Sequence, residues 1–463
     1  MSTPFVVKVL EQYRVTPPPN KTPTTSILPL TFFDLPWLFF SPSQPLFFYE
    51  FPHPISHFKS TTLPKLKQSL SLTLQHYYPF AGSFVSSPNL AKPQLIFTDN
   101  KSVSLTITES NGDFKHLCSN QPRDVIDFHP LVPKLASSFS YEGKEFPLLA
   151  IQITIFPNVG ICIGLAFHNV VADGRTFHNF FKTWASYCRF GGSPLPLKSL
   201  PLFDRSVIID PKGLQEVFLK EWRNRRLVQN IVIGREAKVD LSSMVRATFL
   251  MGTTEMDKIK CLIIDCCKEK NHSQPVHLST YVLTCAFLWV CLLKTEQSVN
   301  EKMGLEDPTY FGFIAGGITR LDYPVPMTYL GNCVGFGRAC VRRNELLGED
   351  GIVVAAKAIG STVKRLDASI FAGAETWILD WDVFHGSEHH VHITWSPKLK
   401  LYESDFGWGK PKKIEEISID STRAVSLVQS RYIEGGIEIG LALPKNKMDT
   451  FSILFTKGLN ALP

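Results

Sequence analysis

The chain of 463 residues lacks most of the signatures that assign a chemistry at sight. No GxSxG, P-loop, HExxH or GxGxxG stretch occurs, so the hydrolase, kinase, zinc-protease and dinucleotide-binding classes lose weight. No CxxC pair occurs among the ten cysteines, at 118, 162, 188, 261, 266, 267, 285, 291, 333 and 340. Structural zinc and a disulfide scaffold are therefore not expected, and a reducing cytosol is. Lysine and arginine form no blocks despite a net charge of +6, so the charge does not read as a nucleic-acid surface and suits a small polyanion instead. The longest apolar run, Leu278 to Leu293, contains Ser279, Thr280 and Thr284 and falls short of the ~20 residues that span a bilayer. The first residues are broken by Lys8 and Glu11, so no secretory signal and no membrane partner are expected.

What is present is an ordinary globular composition, 44% hydrophobic and 19% charged, in a chain long enough for two domains. Phenylalanine is abundant, at 34 residues, and serves mostly the core. Leu63, Leu66, Leu70 and Leu74 predict an amphipathic helix ended by Pro79 and Gly82. Strands are expected at 94–97, 103–107, 147–156 and 160–167, and a helix over 176–189. Residues 191–216 turn to Gly, Pro, Ser and Leu and read as a crossover linker between domains at 1–190 and 217–463. The second part predicts helices at 254–268, 279–293 and 447–459, with strands near 310–318, 391–395, 426–433 and 437–443. Strands and helices mix without strict alternation, so the fold class is α/β (α+β) in two layered halves.

Three segments stand out chemically. Phe167–Gly174, FHNVVADG, carries an apolar strand into polar residues and a turn, where site residues are commonly displayed. Asp405–Gly409, DFGWG, has two glycines flanking a tryptophan and reads as a tight loop with one large anchor. His385, His389, His390 and His392 cluster locally, with His390 and His392 on one strand face. With only Glu388 near, they read as surface-loop histidines, and no metal site is expected.

DFGWG resembles the signature of the plant BAHD acyltransferases, which move acyl groups from acyl-CoA to alcohols or amines. LQHYYPFAG at 74–82, HLSTYVLTCAFLWVCL at 277–292 and YLGNC at 329–333 agree with the family in order. LPLTFFDLPWL at 28–38 and YLGNC are similar to the branch that acylates sugars on flavonoids and anthocyanins, often with malonyl-CoA. The resemblance implies two similarly folded, chloramphenicol-acetyltransferase-like domains with a channel at their interface. It implies a small acyl group, malonyl or acetyl, moved to a hydroxyl on the sugar of a phenolic or terpenoid glycoside. Acyl-CoA would be a co-substrate, no cofactor would be resident, and the protein would be a monomer.

The family's HxxxD signature is shifted. Asn169, four before Asp173, takes the place of the catalytic histidine, and His168 is its neighbour. Side chains alternate along a strand, so the two should face opposite ways, and an amide cannot act as general base. Three readings follow: a bulge swings His168 into the channel, catalysis runs by positioning alone, or the chain is an impaired, BAHD-like binding protein. The resemblance assigns the remaining roles. Asp173 and Asp405 would be structural supports of the reacting site, Asp405 pairing with an arginine such as Arg320. Ser279, Thr280, Lys258 and Arg175 would meet the acyl-CoA, with Arg175 a candidate for a malonyl carboxylate and Lys260 and Lys412 as further cations. Thr394, Trp395, Ser396 and Trp408 would line the channel.

Overall fold

The computed structural model describes residues 5–86, 92–135, 145–191, 200–227, 240–299, 304–387 and 389–462. Three sheets carry the strands of these residues. A six-stranded sheet runs in the order Val7–Val15, Val103–Ser110, Leu149–Phe156, Gly160–Phe167, Pro45–Glu50, Lys413–Glu416. A seven-stranded sheet runs Val334–Arg342, Pro308–Gly316, His390–Thr394, Ala424–Gln429, Ile437–Pro444, Met244–Met251, Arg123–Asp124. A four-stranded sheet joins Thr25–Pro29, Gln94–Thr98, Ser83–Val85 and Glu145–Pro147.

The strand that leads into the site, Gly160–Phe167, and its neighbour, Leu149–Phe156, are buried throughout. The two pair antiparallel with Phe156 opposite Gly160, and Asn158 takes the left-handed conformation that the short loop requires. Helix Gly174–Phe190 covers this sheet through Phe177, stacked on Phe167 at 4.3 Å, and Phe181, stacked on Phe47 at 4.1 Å, while Phe180 packs on Tyr77 and Phe80 and Trp184 on Phe406, all four buried. Each such ring contributes about 1.5–3 kcal/mol by leaving water. Asp173 starts the helix as its cap, and Gly191, left-handed at φ 68°, ends it.

Helix Thr280–Val299 is long and apolar enough to cross a membrane by length and composition. Here it is a core element, buried from Val282 to Cys291 and packed on helices Gly351–Ala368 and Lys445–Asn460. Its apolar all-round surface is explained by neighbours on every side.

The sheets do not respect a division at 190 and 217. Lys413–Glu416 joins the sheet built mainly from the first part, and Arg123–Asp124 joins the sheet built mainly from the second. Of the expected linker 191–216, residues 192–199 lie outside the described residues, and helix Leu214–Leu227 begins before its end.

Where the two exchanged strands meet, charges are buried. Arg123 Nη1 donates to Glu415 Oε1 at 2.8 Å and Arg246 Nη2 lies 3.1 Å from Oε2, with all three side chains essentially inaccessible. Burial alone would raise the Glu415 carboxyl, but Arg123, Arg246 and Lys413 outweigh it and hold it at about 2, against the usual 4.5. Its folded value is depressed, so its stabilisation is present above about pH 4.5 and is lost as pH falls towards 2. Glu415→Gln leaves Arg123 buried without its counter-charge and leaves Arg246 with Asp420 alone, at 3.3 Å. Urea unfolding is expected to show a loss of about 3–5 kcal/mol; a loss under 1 kcal/mol would show that the cluster does not tie the strands together.

Candidate active site

Strand Gly160–Phe167 ends against Ser43, whose backbone exchanges two hydrogen bonds with Phe167 at 3.0 and 3.1 Å. The chain then turns: the Val171 and Ala172 N–H groups donate to the carbonyls of His168 and Asn169. The turn opens onto a cavity of about 1090 Å³ lined from both ends of the sequence.

Asn169 lines this cavity and His168 does not. His168 is only 1% exposed, and its N–H donates to Leu148 O at 3.0 Å, which holds the backbone on the neighbouring strand. The bulge that would bring His168 into the channel is absent here; strand alternation places it on the other face. Asn169 Oδ1 accepts from Ser43 Oγ at 2.9 Å.

Asp173 lines the cavity too, but its carboxylate is occupied by structure. Oδ1 accepts from Thr176 N at 2.8 Å and Oδ2 from Cys333 N at 3.2 Å, with Arg175 Nη2 at 3.5 Å. Burial and the nearby Asp173 push the Cys333 thiol up to about 12, so it is not a nucleophile at neutral pH. The YLGNC segment forms the opposite side of the clamp. Asn332, fully buried, donates from Nδ2 to Asn169 O at 2.8 Å and to Asp34 Oδ1 at 3.0 Å. Asp34 also accepts from Asn332 N, Thr31 N and Thr31 Oγ1, and Arg205 Nη1 lies 3.7 Å from it. Asp34 and Arg205 were not singled out in the sequence. A carboxylate inside the apolar stretch LPLTFFDLPWL is the signal that marks Asp34, since a buried charge needs a built set of donors.

Arg175 lines the cavity while donating to Met327 O at 2.7 Å and Tyr329 O at 2.9 Å. Ser279 and Thr280 line it at the start of helix Thr280–Val299, and Thr394, Trp395 and Ser396 line it beyond strand His390–Thr394. Trp395 sits at φ 63°, an uncommon conformation for a bulky side chain, and turns the chain at the cavity rim. Arg320, Lys398 and Arg423 add positive charge to the lining.

Besides His168, the expected site residues Lys258, Lys260, Asp405, Trp408 and Lys412 do not line the cavity. Lys258 points to the chain's end, donating to Leu462 O at 3.4 Å. Asp405 does not line the cavity and pairs with Arg189, at 2.6 Å, not with Arg320. Arg320 instead binds Asp367 at 2.8 Å. Asp405 Oδ1 takes the N–H groups of Gly407 and Gly409, whose φ of 104° and 92° only glycine adopts freely. Trp408 stacks on Phe406 and edges onto Tyr49 and Phe51, so it anchors the DFGWG loop to the first sheet and does not line the cavity. Lys412, a further expected cation, pairs with Glu50 at 3.1 Å.

His385, His390 and His392 line the cavity, which corrects their reading as surface-loop residues. The strand bearing two of them is internal to the sheet, flanked in parallel by Pro308–Gly316 and Ala424–Gln429. Burial holds all three rings neutral: His385 is lowered to about 3, His392 well below the usual 6.5, and His390 lowered despite the backbone groups that favour its charged form. Glu388 lies outside the described residues.

The description "Transferase family" fits residues 5–456 of this chain. The chain is 37% identical over 466 residues to malonyl-coenzyme A:anthocyanin 3-O-glucoside-6''-O-malonyltransferase of Dahlia pinnata, covering 98% of this chain and 97% of that protein. It is 35% identical over 468 residues to phenolic glucoside malonyltransferase 2 of Arabidopsis thaliana, covering 99% of this chain and 100% of that protein. In fold it matches the crystal structure of vinorine synthase, with a TM-score of 0.69 at 18% identity, over 98% of both chains.

Proposed function

The chain belongs to the BAHD-type Transferase family, and from that premise we propose that it is an acyl-CoA-dependent O-acyltransferase. It moves a malonyl or other small acyl group to a sugar hydroxyl of a phenolic or related glycoside. The observation that carries this reading is the cavity wall, where Asn169, Asp173, Arg175, Ser279, Thr280 and Thr394 converge from distant parts of the sequence. The relatives' activities support the substrate classes.

In this mechanism the acceptor oxygen attacks the thioester carbonyl directly. The C–O bond forms, the C–S bond breaks, and the hydroxyl proton ends on the released CoA thiol. Asn169 orients the acceptor or the thioester oxygen by hydrogen bonding, because an amide has no useful basicity near neutral pH. Thr394, Trp395 and Ser396 line the same cavity, and their polar groups are the ones we assign to the oxyanion. Catalysis therefore rests on positioning and electrostatics, and the clamp from Asn332 to Asn169 O supplies the rigidity that positioning needs. The reading extends to a monomer in the cytosol, which size-exclusion chromatography and subcellular localisation would test.

Thiol release from malonyl-CoA is expected to depend on an added flavonoid glucoside; release that ignores the acceptor would contradict transfer. Arg175 tests the donor. Its Nη1 and Nη2 donate to Met327 O, Tyr329 O and Thr176 Oγ1, with Asp173 at 3.5 Å, so two of the five N–H donors of the guanidinium remain to meet a carboxylate. Arg175→Ala is expected to shift the malonyl-over-acetyl preference by about 10–100-fold, the worth of one charge-assisted hydrogen bond of about 1.5–3 kcal/mol. An unchanged ratio of kcat/KM for the two donors would remove Arg175 from that role.

A further inference from the structure

One part of the cavity wall is not used by acyl transfer. His385, from helix Trp377–Gly386, and His390 and His392, from the following strand, each offer one ring nitrogen, and these nitrogens all lie within 4.8 Å of one another. Their rings are close, with centroids 5.1, 5.2 and 6.0 Å apart. His385 Nε2 and His392 Nδ1 are buried without a hydrogen-bond partner. Buried polar atoms left in that state are rare and call for an occupant. His390 Nδ1 lies 2.7 Å from Ser387 O. A ring that donates there from Nδ1 keeps its Nε2 lone pair for a ligand, and a backbone carbonyl behind a histidine is the usual support of a metal-bound ring.

From this arrangement we propose that His385, His390 and His392 form a three-imidazole site for a divalent cation of the zinc class, with its open coordination position turned into the cavity. The inference is independent of the acyl-transfer reading. Tetrahedral zinc at 2.0–2.1 Å from each nitrogen needs them about 3.3 Å apart, so ring shifts of the order of 1 Å close the site. The donor set selects the metal. Neutral imidazoles suit zinc, copper, cobalt and nickel, whereas magnesium and calcium want oxygen ligands. Among the described residues the candidate ligands are three nitrogens with no carboxylate. Three protein ligands leave a fourth position, and because all three histidines line the cavity it is reached by water or by an anionic oxygen of whatever fills that space.

The test uses the full chain freed of any histidine tag. Titration with Co²⁺ is expected to give the visible absorption of a tetrahedral nitrogen site at one ion per chain, displaced by Zn²⁺. His385→Ala and His392→Ala should each weaken Zn²⁺ binding at least about tenfold, while both variants keep the circular dichroism spectrum of the wild type. Binding equal to wild type in the double variant, or no stoichiometric ion in the wild type, would overturn the proposal. If the variants fail to fold, anomalous diffraction at the zinc edge from wild-type crystals grown with Zn²⁺ decides it. A peak between the three rings is expected; an empty site, or zinc only elsewhere, overturns it.

Discussion

Replacing Asn169 with histidine is expected to raise kcat for acyl transfer by about 10²–10⁴-fold, the usual worth of a positioned general base. Asn169 is on the cavity wall, at the turn after an apolar strand, with its backbone carbonyl clamped by Asn332 and its side chain in contact with Ser43. An imidazole placed there inherits that fixed backbone and can take the acceptor's proton as the C–O bond forms. The gain should appear in kcat with little change in KM for acyl-CoA, because it is realised only in the transition state. The rate should also acquire a dependence on the ionisation of the new imidazole, rising as pH passes upward through its pKa. Steady-state kinetics against pH read both effects. An unchanged rate would mean that residue 169 does not touch the reacting atoms, or that another group already takes the proton.

Asn332→Ala is expected to act in the other direction, lowering kcat/KM by about 10²-fold while costing about 1–3 kcal/mol of stability. Its amide is the one side chain that joins the carbonyl of residue 169 to the buried Asp34 carboxylate, at 2.8 and 3.0 Å. Truncation leaves Asp34 Oδ1 with the Asn332 main-chain N–H, at 3.1 Å, and leaves the Asn169 carbonyl without this donor. The turn carrying Asn169 is then free to drift, and a displacement of about 1 Å at a reacting centre costs on the order of 10²-fold in rate. Isothermal titration with CoA separates this from gross misfolding. Binding should persist while turnover falls, and equal loss of both would mark Asn332 as purely structural.

The elements were readable where periodicity was strong. The leucine spacing from Leu63 to Leu74 became helix Leu63–His76, and the run 160–167 became the site strand over the same residues. Strand Pro45–Glu50 and helices Gly351–Ala368 and Trp377–Gly386 were not singled out; the last is apolar apart from Asp380, Asp382 and His385 and has no polar face to mark it. The alternation rule did predict that His168 and Asn169 face apart, although not which of them meets the cavity. That depends on the Ser43 bridge, which joins residues 124 positions apart in the chain.

Long-range pairing was the main illegible quantity. DFGWG was recognisable as an anchored loop, yet whether Asp405 meets Arg189 or Arg320 is decided by helix Gly174–Phe190 running beneath it, which no spacing encodes. The Asp34–Asn332 bond spans 298 positions. The histidine cluster shows the same limit in another form. The shared face of His390 and His392 was visible, but their burial follows from two parallel neighbours, residues 308–316 and 424–429, that only the assembled sheet reveals. Lone lysines such as Lys258 carried too little pattern to separate a ligand contact from a solvated surface.

The measurement that tests the account most directly is mass spectrometry of a flavonoid glucoside after incubation with malonyl-CoA and the wild-type chain. The account predicts one malonyl group on a sugar hydroxyl, with one free CoA released for each group transferred. Saturable binding of malonyl-CoA with the glucoside left unmodified, by the wild type and by Asn169→His alike, would contradict it and leave the cavity a binding site without transfer.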